Sequence, residues 1–285
     1  MAFTVIVALT VLATIGSPAS TPGAETLGLL VLILVCGVPH GALDPVAAHH
    51  LYRLRSAAAW SGFVLAYVAL AAAAIVVWQL WPSGFVGGFV IVSAYHFSGD
   101  PDGDVPRSFR VVYGGLIIVL PALVFSPEVA RLLATLMPAT AAATSAAALR
   151  SLAVPWLLAA MFIAARHAHR DPAASRELLA VAVLAVCAPP LWSFTIFFCF
   201  MHSTRHVLRL QGSWDHVTWR SLVRAAALPV LTTSVALGVG WRLLPDASTT
   251  TRAVQVVFVA LAALTVPHVL LVERLRIAAP HREVM

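Results

Sequence analysis

Apolar residues come in long blocks along this chain, and the polar residues collect between them. Read against Pro, Gly and charge breaks, the blocks fall at about 2–17, 27–46, 57–81, 84–97, 110–126, 151–166, 177–188, 191–208, 221–242 and 253–273. A helix needs roughly 20 apolar residues to cross the hydrocarbon of a bilayer, so each block is a candidate membrane helix, with the first and seventh short. The stretch 128–148, rich in Ala and Thr and weakly amphipathic, reads as an interfacial or re-entrant helix. The predicted fold is therefore all-α: a polytopic transmembrane helical bundle of about eight to ten spans. No soluble domain, low-complexity tail or solenoid-type repeat interrupts it. Residues 1–285 read as a single integral membrane domain, with the main bundle at about 27–275. Residues 1–25, opening "MAFTVIVALTVLATIGSPAS", have an apolar core and small residues near Ser17–Ser20, as a signal peptide does, but lack its positive n-region. A short peripheral first span is the preferred reading.

Composition sharpens this class. Hydrophobic residues make up 60% of the chain and charged ones 11%, with a mean hydropathy of +0.91. A soluble chain carries about 25% charged residues. The net charge of +6 is no nucleic-acid signal, because all 18 basic residues are arginines and they sit in the short loops between blocks or near the block ends. Positive charge in such loops sets orientation. With both termini inside and ten spans, only Arg131, Arg150, Arg242 and Arg252 fall outside; the other fourteen fall inside. The expected location is the plasma membrane, multi-pass. Cys36, Cys187 and Cys199 lie in apolar blocks with no CxxC spacing, and read as small buried hydrophobes.

The histidines carry the candidate chemistry. On the ten-span topology His40, His96, His202, His206 and His268 all lie on helices running outward to inward, at similar depth near the cytoplasmic side. Ionisable groups inside a bilayer are costly and usually mark function. In "HSTRH", His202 and His206 share one helix face at i, i+4 and can grip one metal ion. Arg205 between them points away from that face, as an orientation or interface residue. "GVPHGALDP" gives His40 with Asp44, and "SAYHFSGDPDGD" gives His96 with Asp100. The two aspartates suit acceptors for a ligating histidine's distal ring nitrogen. "TVPHVLLVE" echoes the first motif and sets His268 near the site, outside the primary four. An all-imidazole set suits zinc, copper, iron or nickel and disfavours magnesium or calcium; the residues alone leave the choice among the first group open. His49, His50, His167, His169, His216 and His281 lie beside loop arginines or at span ends and read as solvated interfacial residues.

"PHGALD", "SAYHF" and "HSTRH", in that order on separate helices, resemble the Brp/Blh family of microbial membrane β-carotene 15,15′-dioxygenases, over roughly residues 27–275. The resemblance implies a non-haem Fe(II), Fe(2+), held by His40, His96, His202 and His206. It also implies O2-dependent cleavage of the central double bond of β-carotene or a related carotenoid to two retinals. The substrate would enter from the lipid bilayer along an apolar, aromatic tunnel. Tyr95, Phe97, Trp192, Phe194, Phe197, Phe198 and Phe200 are candidates to line it. A rhodopsin-type retinal acceptor would be a natural partner. No GxGxxG motif asks for a nicotinamide or flavin. Two other readings stand beside this one. A membrane di-iron hydroxylase or desaturase typically uses about eight histidines with an HxxHH-type motif, which is missing here. A haem- or metal-binding transporter-like protein predicts internal pseudo-repeats, of which only the echo between the two "VPH" stretches is visible.

Overall fold

The structure is a computed structural model, and it describes residues 2–16, 22–212, 218–244 and 247–278. Ser17–Ser20, His216 and His281 lie outside the described residues. Among the described residues there are helices and no strands.

Helix α1 (Ala2–Gly16) is followed by α2 (Pro22–Gly41), which breaks for two residues before α3 (Asp44–Tyr52). Pro45 at the start of α3 fits this break, because the first turn of a helix does not need its N–H groups. α4 (Ala57–Leu80) starts on the Ser56 side chain, which accepts from the Ala59 amide at 3.2 Å. Pro82 begins α5 (Pro82–Phe97). α6 (Arg107–Val119) and α7 (Pro121–Ala134) meet at a bend of 47°. α8 (Ala139–His167) and α9 (Pro172–Cys187) follow, the latter capped by Asp171 on the Ala174 amide at 2.8 Å. α10 (Pro190–Phe197) passes through a π turn (Phe198–Ser203) directly into α11 (Thr204–Gly212). α12 (Trp219–Leu243) begins with a Thr218–Ser221 capping box, and α13 (Thr249–Ala278) closes the described chain.

Five of the expected eight to ten spans rest on helices long and apolar enough to cross a bilayer alone. These are Gly23–Tyr52, Ala57–Leu80, Ala139–His167, Trp219–Leu243 and Thr249–Ile277; the bent α6–α7 pair makes a sixth if it crosses as one. The blocks at 2–17, 84–97, 177–188 and 191–208 instead form shorter helices or, in the last case, helices joined by the π turn. The stretch 128–148 is not one interfacial or re-entrant helix. Its first residues end α7 and its last ten begin α8, with the break at Thr135–Pro138. The Ala-rich sequence that looked weakly amphipathic simply continues the 29-residue α8.

Burial separates an inner and an outer layer. In α4 only Ala74 is buried, and in α12 only Leu222 and Ala226, although both helices are strongly apolar. Apolar faces turned outward in this way are stable only against lipid or another apolar surface. The largest core cluster joins residues of α2, α6, α9 and α10, including Ile33, Phe109, Leu116, Leu178, Leu184 and Phe197. Gly114 lets α6 approach α5 so closely that a Cβ would overlap the Ala94 carbonyl and the Ser98 backbone. That approach fixes the turn after α5, which carries Asp100.

Candidate metal centre

Four separate parts of the chain supply the site. His40 is in the last turn of α2 and His96 in the last turn of α5. His202 is in the π turn and His206 one turn on in α11. His268 follows Pro267 inside α13, as His40 follows Pro39 inside α2. A proline within a helix removes one backbone N–H and frees the carbonyl four residues back; both Val-Pro-His stretches thus put a histidine beside a weakened turn. A π turn is also a frequent marker of a functional position in a helix. Here the Thr204 hydroxyl donates to the Cys199 carbonyl at 3.0 Å across it.

The five imidazoles share one buried cluster. His40, His96, His202 and His268 are each 6% exposed or less. The Nε2 atoms of His96 and His202 are 3.1 Å apart. Nitrogens held at about 2.0–2.1 Å from a common ion and roughly at right angles would lie about 3 Å apart. His202 Nδ1 donates to the Asp100 carboxylate at 2.9 and 3.0 Å, and His268 Nδ1 donates to Asp44 Oδ1 at 2.8 Å. Ser203 Oγ lies 3.3 Å from His40 Nδ1. Three ring nitrogens of the cluster, His96 Nδ1, His206 Nε2 and His268 Nε2, are buried with no hydrogen-bond partner among the described residues. An unsatisfied buried polar atom costs about 1–3 kcal/mol. Several in one cluster of imidazole nitrogens is the condition that a bound transition metal relieves, so the residues fit such an ion. One oxygen of Asp44 and one ring nitrogen each of His206 and His268 also lie within 4.8 Å of one another.

The aspartates do accept ring N–H groups, but across helices and not from the histidine on their own segment. Asp44 serves His268 rather than His40, and Asp100 serves His202 rather than His96. Phe97, Phe197 and Phe198 pack on the imidazoles, with ring centroids 4.9, 6.5 and 5.7 Å from that of His202; Phe198 is also 5.3 Å from His40. Phe194 stacks on Phe198 at 5.3 Å. Gly37 makes room for this stack, since a Cβ there would overlap the Phe198 ring. Tyr95 and Phe200 are not brought to the cluster. Tyr95 is 55% exposed and donates to Glu273, and Phe200 is exposed. Trp192 donates to Glu25, at a distance from the histidines along α10. His49, His50 and His169 are exposed, and His167 is half-buried against Phe109.

Sequence reasoning missed three polar residues that hold the site. Tyr67 donates to the second oxygen of Asp44 at 2.8 Å. Glu177 takes two hydrogen bonds from Arg205, at 2.7 and 2.8 Å, and one from Tyr113 at 2.9 Å. Arg209, unremarked in its loop-proximal position, donates to the backbone carbonyls of Gly99 and Asp100 and to Asp102. The available signal was slight: Glu177 is the acidic residue that opens the otherwise apolar block 177–188. Arg205, besides its two bonds to Glu177, donates to the Asp100 carbonyl at 2.7 Å.

The family model for β-carotene 15,15′-dioxygenase matches residues 31–276. The chain is 28% identical over 256 residues to a β-carotene 15,15′-dioxygenase from uncultured marine bacterium 66A03, covering 86% of this chain and 91% of that protein. It is also 28% identical over 316 residues to a probable β-carotene 15,15′-dioxygenase from Halobacterium salinarum, covering 94% of this chain and 89% of that one. No solved structure matches the chain. With the family match spanning all four helical segments that supply the histidines, the chain belongs to the β-carotene 15,15′-dioxygenase family.

Proposed function

We propose that this chain cleaves the central 15,15′ double bond of β-carotene, or of a closely similar carotenoid, with O2, and that the site is a non-haem Fe(II) held by His40, His96, His202 and His206. Both oxygen atoms enter product, the C15–C15′ bond breaks, and two retinals leave with no other oxidant or reductant. The observation that carries the reading is the buried convergence of imidazoles with partnerless nitrogens, in a chain that matches this family. A ferrous ion in the cluster would supply the one-electron chemistry by which O2 reacts with a closed-shell polyene.

The chain's own groups do the rest. Asp100 accepts from His202 Nδ1, which leaves the Nε2 lone pair facing His96 and holds that ring in one tautomer. Phe97, Phe197 and Phe198 cover the imidazoles and keep bulk water from the cluster. The ladder Phe194–Phe198–His202 gives a long polyene an aromatic surface that leads to the site from the α10 side. The substrate dissolves in lipid, and the outward apolar faces of the five long helices suit a plasma-membrane protein that takes it laterally. Retinal released to the same bilayer would reach a rhodopsin-type acceptor without crossing water.

Co-expression with a bacterial β-carotene pathway tests this. Loss of the yellow colour with retinal in the extract is expected; unchanged β-carotene, or hydroxylated carotenoid in place of retinal, contradicts it.

A further inference from the structure

Four of the five rings form an open chain by their contacts. His96 meets His202 at 4.7 Å between centroids, His202 meets His40 at 5.3 Å, and His40 meets His206 at 5.6 Å. The ring of His268 meets both ends of that chain, His96 at 5.0 Å and His206 at 5.1 Å, and also His40 at 5.2 Å. His268 therefore closes the array from α13.

Its hydrogen bonding repeats that of His202. In each ring Nδ1 donates to a buried aspartate, at 2.8 Å for His268 on Asp44 and 2.9 Å for His202 on Asp100. With the proton on Nδ1, Nε2 of a neutral imidazole is a lone-pair atom. In His268 that atom is buried and has no partner. Asp44 is 1% exposed, and both of its oxygens are occupied: Oδ1 by His268 and Oδ2 by the Tyr67 hydroxyl at 2.8 Å. An Asp44 oxygen lies within 4.8 Å of ring nitrogens of His206 and His268, but each of its oxygens already accepts one hydrogen bond, from an N–H and an O–H donor that hold it in place. That makes it an orienting group.

We propose that His268 is a fifth nitrogen ligand of the metal through Nε2, and that Asp44 and Tyr67 are the residues that position it. The proposal rests on the reading that the cluster holds a metal. Its content is that α4 and α13, which the four-histidine set leaves out, take part in binding the ion: α13 through a ligand and α4 through the hydroxyl that fixes the ligand's partner.

The test uses the full chain, purified in detergent and loaded anaerobically with Fe(II). X-ray absorption at the iron edge counts imidazole ligands, and competition with a chelator gives iron affinity. The native chain is expected to show five imidazoles. His268→Gln should show four, with iron affinity down by more than the roughly 10–100-fold that removal of an orienting group produces. Tyr67→Phe should keep five, with affinity down about 10-fold. Added imidazole should restore affinity in His268→Gly, which a purely structural role for the ring would not allow. A His268→Gln variant with the native imidazole count and affinity overturns the proposal and leaves the metal reading standing. A native chain that binds no iron removes the metal reading itself, and this proposal with it. Should the His268 variants fail to fold, the native chain and Tyr67→Phe decide the matter: four imidazoles in the native chain overturn the fifth ligand, and native affinity in Tyr67→Phe, which loses one oxygen from a half-buried ring, overturns the positioning role.

Discussion

The two carboxylates of the site do the same job in unequal surroundings. Asp100 is held from several directions. Its backbone carbonyl takes Arg205 and Arg209, its neighbour Gly99 takes Arg209, and Arg205 is gripped by Glu177, itself tied to Tyr113. His202, Arg205, His206 and Arg209 all lie on one continuous run from the π turn through α11. The helix that offers two imidazoles therefore also clamps the loop that orients one of them. Asp44 has no such frame. It sits at the break between α2 and α3, and among the described residues its side-chain donors are His268 and the Tyr67 hydroxyl. One half of the site is braced locally and redundantly; the other depends on a single hydroxyl from a helix whose other faces turn outward.

That contrast sets the expected order of damage. Largest is the loss of a proposed ligand: His202→Ala or His206→Ala should abolish iron retention and retinal formation while the protein still inserts, measured by metal analysis and chromatography of membranes at equal protein. Next comes Asp100→Ala, which leaves His202 Nδ1 without its carboxylate acceptor and should weaken iron binding roughly 10–100-fold. Arg205→Ala should act on stability before activity. It leaves Glu177, in a 22% exposed site, with the Tyr113 hydroxyl but no counter-charge, and breaking a largely buried pair costs on the order of 3 kcal/mol, read as a lower Tm in detergent. Arg209→Ala should be milder, since Arg205 still holds the Asp100 carbonyl; equal damage from the two would deny the redundancy. Gly37→Ala drives a methyl into a Phe198 ring that is stacked between Phe194 and His202. About 1–3 kcal/mol of overpacking is expected, with a loss of activity as the stack shifts. Smallest is Tyr95→Phe, which removes an exposed hydroxyl bonded to Glu273 and should change stability by less than about 0.5 kcal/mol with retinal yield intact.

What could be read from the chain follows the same division. Imidazoles inside apolar blocks stand out because such residues are costly in lipid, so all five site histidines were visible one by one. Their partners were not. Asp44 and His268 are 224 positions apart, and Asp100 and His202 are 102 apart; local i, i+4 spacing sets each aspartate beside a different histidine and does not reveal these partners. Tyr67 is one aromatic in an apolar helix, indistinguishable by composition from a residue facing lipid. The π turn leaves no compositional trace, and with it the stacking of Phe198 on His202 was hidden. The helix class was plain from hydropathy. Which blocks are long single helices was less so, because Pro138 and Pro121 break the chain where apolar content continues.

The most direct measurement is the iron content of the purified chain and of His202→Ala, by elemental analysis at equal folded protein after anaerobic loading. One iron per native chain and none in the variant is the predicted result. Two irons per chain, or a native chain that forms retinal with no metal bound, contradicts a single ion held by the histidine cluster.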